Sequence, residues 1–132
     1  KKLEQRKIVR KIIQYKENDI FAFDNFDLHP IHVTHSIPYT HGLVFKARDN
    51  SFATLFISDF KYDLNPLFEA PFNTQKIIDL FKDVPKRLAM LDSTNIMSSG
   101  KTASESDTTN DLEQIISEKK RTFITLFSSN IY

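Results

Sequence analysis

The feature that most limits what this chain can fold into is the alternating run from Leu43 to Phe60, broken once by the polar stretch Arg48-Asp49-Asn50-Ser51. A period of two marks a half-buried β-strand, and two such runs joined by a short polar break make a β-hairpin. The register of that hairpin decides which side chains share a face, because a slip of one residue turns every side chain over. With Asp49-Asn50 as the loop, Ala47 faces Phe52. Leu43, Phe45, Phe52 and Phe56 then share one face, while Val44, Lys46 and Arg48 share the other with Leu55 and Ile57. With Asp49-Asn50-Ser51 as the loop, Arg48 faces Phe52. Leu43, Phe45, Ala47, Ala53, Leu55 and Ile57 then form an apolar core face, opposite Lys46, Arg48, Phe52, Thr54 and Phe56. The second register is favoured, because an unpaired cation on a buried face costs far more than a less favoured turn.

In that register the hairpin exposes cations interleaved with aromatic rings. The pentapeptide Phe52-Ala53-Thr54-Leu55-Phe56 returns as Phe123-Ile124-Thr125-Leu126-Phe127, so both are expected in one sheet, with Phe123, Thr125 and Phe127 continuing the exposed face. Lys61 and Tyr62 follow the end of the hairpin. Rings stack on bases and cations neutralise phosphates, so these ten positions are the candidate contacts for single-stranded nucleic acid. Two other readings compete. Both faces are buried, one by the core and one by a helix or partner; or the Phe-rich face is a protein-interaction surface that docks a partner helix.

Around this centre, residues 1–17 carry the stripe Ile8, Val9, Ile12 and Ile13 on a basic background and read as a helical arm. Residues 17–42, with Pro30 and Pro38, read as extended segments and turns. Asn73 is a candidate N-cap for a helix over Asn73–Leu91 that Pro85 kinks or ends. Residues 92–111 are so rich in Ser, Thr, Asn and Asp that they read as a flexible insertion, followed by a short helical piece at Leu112–Lys119. The chain lacks an initiator Met and stops inside an apparent strand, which reads as a fragment.

Composition narrows the function classes. The length of 132 residues suits one domain, and with no cysteine there is neither a disulfide framework nor a thiolate zinc site, which fits a reducing compartment. No apolar run reaches the roughly 18 residues that span a bilayer, so no membrane role is expected. His29, His32, His35 and His41 cluster, but residues three apart on an extended segment face opposite ways and no carboxylate pair joins them, so no metal site is expected. With glycine only at positions 42 and 100 there is no phosphate loop or nucleophile elbow; neither a cofactor nor an enzyme activity is expected.

The segments HSIPYTHGLVFKARDNSFATLFISDFKYDLNPLF and RTFITLFSSNIY have a strand opened by Gly42, a hairpin, a strand ending in Ser58-Asp59-Phe60, an insertion and a strand with a Phe-x-x-x-x-Tyr ending. This order resembles the first three strands of OB-folds in yeast-type telomere-capping proteins, the single-strand-binding and accessory subunits of the CST complex. The resemblance implies an α+β, mainly β, OB-like domain over residues 1–132, truncated before its last strands, with a long insertion between the second and third strands. It also implies single-stranded DNA, rather than RNA, as the ligand, partner subunits of a capping complex, and a place in the nucleus at chromosome ends or in replication. An OB barrel is an apt home for the pattern because it closes on an aliphatic core and offers one face to oligonucleotides. A PH-like barrel or a small sandwich accommodates the pattern too.

Overall fold

Where the β-branched and aromatic residues fall, the computed structural model, which describes residues 12–119 and 121–126, builds a five-stranded mixed sheet with two helices. The strands are β1 (Phe21–Ala22), β2 (Phe26–His32), β3 (His41–Ala47), β4 (Phe52–Ile57) and β5 (Lys86–Leu91), in the spatial order β1-β2-β3-β4-β5. The first four form an antiparallel meander, and β5 pairs in parallel with β4. The architecture is α+β and mainly strand; the sheet is open rather than closed into a barrel. Helix α1 (Thr74–Phe81) is the crossover that a parallel pair needs, and helix α2 (Glu105–Glu118) follows the sheet.

The hairpin adopts the register that was disfavoured. Leu43 pairs with Phe56, Val44 with Leu55, Phe45 with Thr54 and Lys46 with Ala53, the register in which Ala47 meets Phe52. Strands β3 and β4 are joined through Arg48–Ser51: the Ala47 carbonyl accepts from the Asn50 N–H at 3.0 Å, Asn50 takes a left-handed φ of 57°, and the Asp49 carboxylate accepts from the Ser51 N–H at 2.9 Å. The objection to this register was two unpaired cations on an aliphatic face. Asp27 of β2 removes it: Asp27 sits directly opposite Lys46, and its Oδ1 accepts from Arg48 Nε at 3.1 Å. The partner comes from a third strand, which a hairpin considered alone does not contain.

This register collects Ile31, Gly42, Val44, Ala53, Leu55 and Ile57 on one face, all buried. The core continues through Val33 and Phe72, with Ile77, Leu80 and Phe81 of α1 and Phe60 packed against it. Gly42 is where the sheet tolerates least. A Cβ there would stand 2.7 Å from Ile57 Cγ1 and 3.2 Å from the Phe56 carbonyl oxygen, so only a glycine lets β3 lie this close to β4.

Helix α1 begins as the sequence indicates, with Asn73 Oδ1 accepting from the Lys76 N–H at 3.0 Å. It ends sooner than expected. The chain leaves the helix at Lys82, Asp83 takes a φ of 60°, and Pro85 bars the residue before it from helical geometry. Lys86–Leu91 is therefore strand β5, not the second half of a helix, although Lys, Arg, Leu, Ala and Met are all good helix formers. Pairing with β4 over six residues outweighs that weak local preference.

Three further expectations are corrected. The strand after the hairpin is β5 and not the segment Arg121–Leu126, which is irregular and exposed, so the long insertion does not separate neighbouring strands. The irregular stretch expected up to residue 111 is helical from Glu105. Residues 12–16 are irregular and Glu17 lies in a turn, while residues 1–11 of the expected basic helical arm lie outside the described residues. No helix among the described residues is long and apolar enough to cross a membrane.

The contact at Gly42 yields a test. Gly42→Ala is expected to cost about 1–3 kcal/mol of unfolding free energy, the usual range for an overpacked core. Adding Ile57→Val, which trims the flanking side chain, should recover part of that loss in urea titrations; an Ala variant as stable as the parent would mean that β3 and β4 are further apart.

Candidate functional site: an uncovered aromatic sheet face

Helix α1 covers one face of the sheet. The opposite face is set by the same register: Phe21 on β1; Phe26, Leu28, Pro30 and His32 on β2; His41, Leu43, Phe45 and Ala47 on β3; Phe52, Thr54 and Phe56 on β4; Lys86, Leu88 and Met90 on β5; Pro30 and His32, at its far end, are buried. Phe23 stacks on Phe26 at 4.7 Å between ring centroids, and Phe26 meets Phe45 at 5.9 Å, so one end of the face is a continuous aromatic layer. Exposure rises toward β5. Phe52 and Phe56 are 40 % and 41 % exposed, and Leu88 and Met90 are about half exposed.

The candidate contacts are divided by this geometry. Phe52, Thr54 and Phe56 lie in a row on the uncovered face, as expected. Lys46 and Arg48 do not join them: both belong to the opposite face, where Asp27 answers them. Among the described strand residues, Lys86, registered against Phe52, is the one Lys or Arg on the uncovered face. Sequence reasoning missed it because β5 was read as helix. Phe123 is 92 % exposed and, like Thr125, lies in the irregular tail rather than beside Phe52; Phe127 lies outside the described residues.

Lys61 and Tyr62 are occupied by structural partners. The Thr34 hydroxyl donates to the Lys61 carbonyl, and the Lys61 N–H donates back to the Thr34 carbonyl at 2.8 Å. Tyr62 packs on Phe72 with 5.1 Å between ring centroids, and its hydroxyl lies 3.3 Å from Thr74 Oγ1 at the start of α1. The Lys61 ammonium pairs with Asp63 Oδ2 at 3.2 Å. Asp63 is the buried hub of this region. Its Oδ1 accepts from the Asn65 N–H at 2.9 Å and lies 2.7 Å from the Ser104 hydroxyl, while Oδ2 accepts from the Glu105 N–H at 3.0 Å. Burial opposes the charged form, but hydrogen bonds from Ser104, from the Asn65 and Glu105 N–H groups and from Lys61 outweigh it and hold the carboxyl far below its ordinary range. One carboxylate thus joins the chain after β4 to the first turn of α2.

His29 and His32 do not converge. His29 shares the Val44 face and His32 the other, where it pairs with His41. Burial pushes the His29 imidazole down, against the pull of Asp27 and with help from Lys76 and Lys46, which disfavours a protonated His29 as a phosphate contact. Among the described residues no group of three His, Cys, Asp or Glu is placed to hold a metal ion. No protein-family model matches the chain.

The Asp63 hub sets a pH dependence. The unfolded carboxylate titrates at its ordinary 3.8 and the folded one lower, so as pH falls the unfolded state takes up the proton first. The stabilisation is complete above that ordinary value and declines as pH falls below it toward the folded value. Asp63→Asn should flatten this acid limb in denaturation profiles. It should also speed amide exchange across Glu105–Glu118 more than across β2, β3 and β4; uniform acceleration would show that Asp63 supports the sheet instead.

Proposed function

We propose that this chain is a protein-interaction domain whose uncovered sheet face docks an amphipathic helix of a partner subunit. The observation that carries the reading is the thinning of charge among the aromatics: the uncovered face carries Phe, Leu and Met with Lys86 as its one cation among the described strand residues, while Lys46 and Arg48 belong to the opposite face, where Arg48 pairs with Asp27. Phosphate recognition needs several cations among the rings; an apolar helix stripe needs a face with few of them. The parallel pair β4–β5 adds a second argument, because parallel strands are normally covered on both faces, whereas here α1 packs on one face of β4 and every residue of β5 is exposed. A helix is the element that supplies such a cover, as α1 does on the other side. Contiguous exposed apolar surface of this kind marks an interaction site far more often than an idle one.

Single-stranded DNA binding at chromosome ends in the nucleus, which the telomere-capping resemblance implies, is the second reading. Phe52 and Phe56, four residues apart on the same face and each about 40 % exposed, with Lys86 beside Phe52, favour it. In that reading the open sheet is part of an OB-type barrel and Phe52 and Phe56 are stacking platforms.

A photo-crosslinking amino acid at Phe56, with Lys61 as an off-face control, separates the two. A protein adduct of one defined mass at Phe56, absent at Lys61, is the expected outcome; a nucleic-acid adduct at Phe56 favours the second reading. Titration of a labelled single strand at two salt concentrations supplies the complement, since each neutralised phosphate lowers affinity by about 0.7 log units per tenfold rise in salt. Phe52→Ala with Phe56→Ala should leave the domain folded, because both rings are already substantially exposed, and should abolish the protein adduct at a crosslinker placed at Thr54.

A further inference from the structure

At the His32–His41 end of the sheet lies a cleft of about 860 Å³, lined by residues that include Tyr15, Lys16, Tyr39 and Phe68, His32 and His41, and Glu69. Glu69 is the unusual member. Its side chain is only 10 % exposed, Oε1 accepts a long 3.4 Å bond from the His35 N–H, and Oε2 is buried with no hydrogen-bond partner among the described residues. The nearest charged or chargeable neighbour is His32 Nε2, at 3.6 Å from Oε2, and that nitrogen already donates to the Ala70 carbonyl at 2.8 Å. The other acidic wall residue, Glu17, is engaged: its Oε1 accepts from Asn73 Nδ2 at 2.6 Å and from the His32 N–H at 3.2 Å.

A buried carboxylate oxygen left without a donor is costly, and native structures leave few such groups without a reason. The surroundings indicate what would relieve it. A bare divalent cation lacks ligands, because no trio of His, Asp or Glu converges among the described residues. Three aromatic residues and two glutamates share the lining with a single lysine, Lys16, a composition that suits an organic cation, whose charged head would bond to a carboxylate while its apolar stem and charge lie against aromatic rings. Tyr39 supports this arrangement. It is 83 % exposed at the rim with a left-handed φ of 60°, a conformation uncommon for an aromatic residue, and its carbonyl accepts from His41 Nδ1 at 2.8 Å.

We propose that this cleft binds an alkylammonium or alkylguanidinium group, with Glu69 as the counter-ion and Tyr15, Tyr39 and Phe68 as its aromatic walls. The group comes either from a free amine or guanidine or from a Lys or Arg side chain on a protein. The site stands whether or not the Phe52–Phe56 face docks a helix, since it draws on none of those residues.

The test is an NMR titration of the isotope-labelled 132-residue chain with agmatine and cadaverine, and in parallel with N-acetyl-arginine and N-acetyl-lysine methylamides. Pentanol serves as the uncharged control. Saturable shifts at His32, His41 and Tyr15 with the cations and not with pentanol are expected. Glu69→Gln, which preserves shape and removes charge, should weaken binding roughly tenfold or more, as loss of a charge-assisted bond implies. Tyr39→Gly, which suits the left-handed backbone, should weaken it by a smaller factor in a folded protein. Binding of agmatine or cadaverine assigns a small-molecule source; binding of the blocked amino acids alone assigns a protein side chain. The proposal is overturned if none of the four cations binds at millimolar concentration, or if binding survives both substitutions unchanged.

Discussion

The two faces of this sheet depend on the close approach of β3 to β4 at Gly42. With no Cβ at that position the strands come near enough for Ile57 to fill the space a side chain would take, which places Val44, Leu55 and Ile57 together under helix α1. Every other assignment follows by alternation. Phe52, Thr54 and Phe56 turn to the uncovered side, and Lys46 and Arg48 turn to the covered side at its outer end, where Asp27 meets them. The ion pair is partly exposed, with Arg48 about half in solvent, so its direct contribution is small, on the order of 1 kcal/mol or less. Its importance is permissive: it removes the penalty that would otherwise have excluded this register.

Charge, and not aromatic content, is what the tertiary arrangement decides about function. The chain has twelve Phe and no Trp, and a ring-rich face was bound to arise from strands built of such residues. Whether that face receives a polyanion or an apolar helix depends on which cations share it. Lysines and arginines close in sequence to Phe52 end up behind the sheet, while Lys86, more than thirty residues later, is brought opposite Phe52 by the parallel strand. The docking reading rests on that redistribution. Two other features lie apart from this face: the Asp63 hub, which anchors α2 to the segment after β4, and the cleft with Glu69 at the His32–His41 end.

Both anchors are assembled from residues distant in the chain. Asp63 gathers Lys61, Asn65, Ser104 and Glu105, and Glu17 reaches Asn73 while its carbonyl accepts from the Lys76 ammonium. Neither pattern has a local sequence signature. Short polar residues in turns hydrogen-bond their own neighbours so often that Asp63 looks like one more turn aspartate, and only the return of the chain at Ser104 gives it a different role. Glu69 is equally silent in the sequence, since burial of a carboxylate is a property of what surrounds it.

By itself the sequence determined the elements whose causes are local: the hairpin, from its alternation and polar break; the start of α1, from the reach of an Asn73 side chain to the Lys76 amide; and the strand character of Phe52–Ile57. Tertiary structure alone decided the register, the strand at Lys86–Leu91, the irregular path of Arg121–Leu126 and the division of the candidate contacts between two faces. The reason is the same in each case. A strand's hydrogen-bond partners and an ion's counter-charge lie on other segments, so the free energy that selects among local alternatives is not contained in the segment being read. KRLAML is a fair helix until β4 offers it a ladder, and Lys46 with Arg48 is an unacceptable burial until β2 brings Asp27.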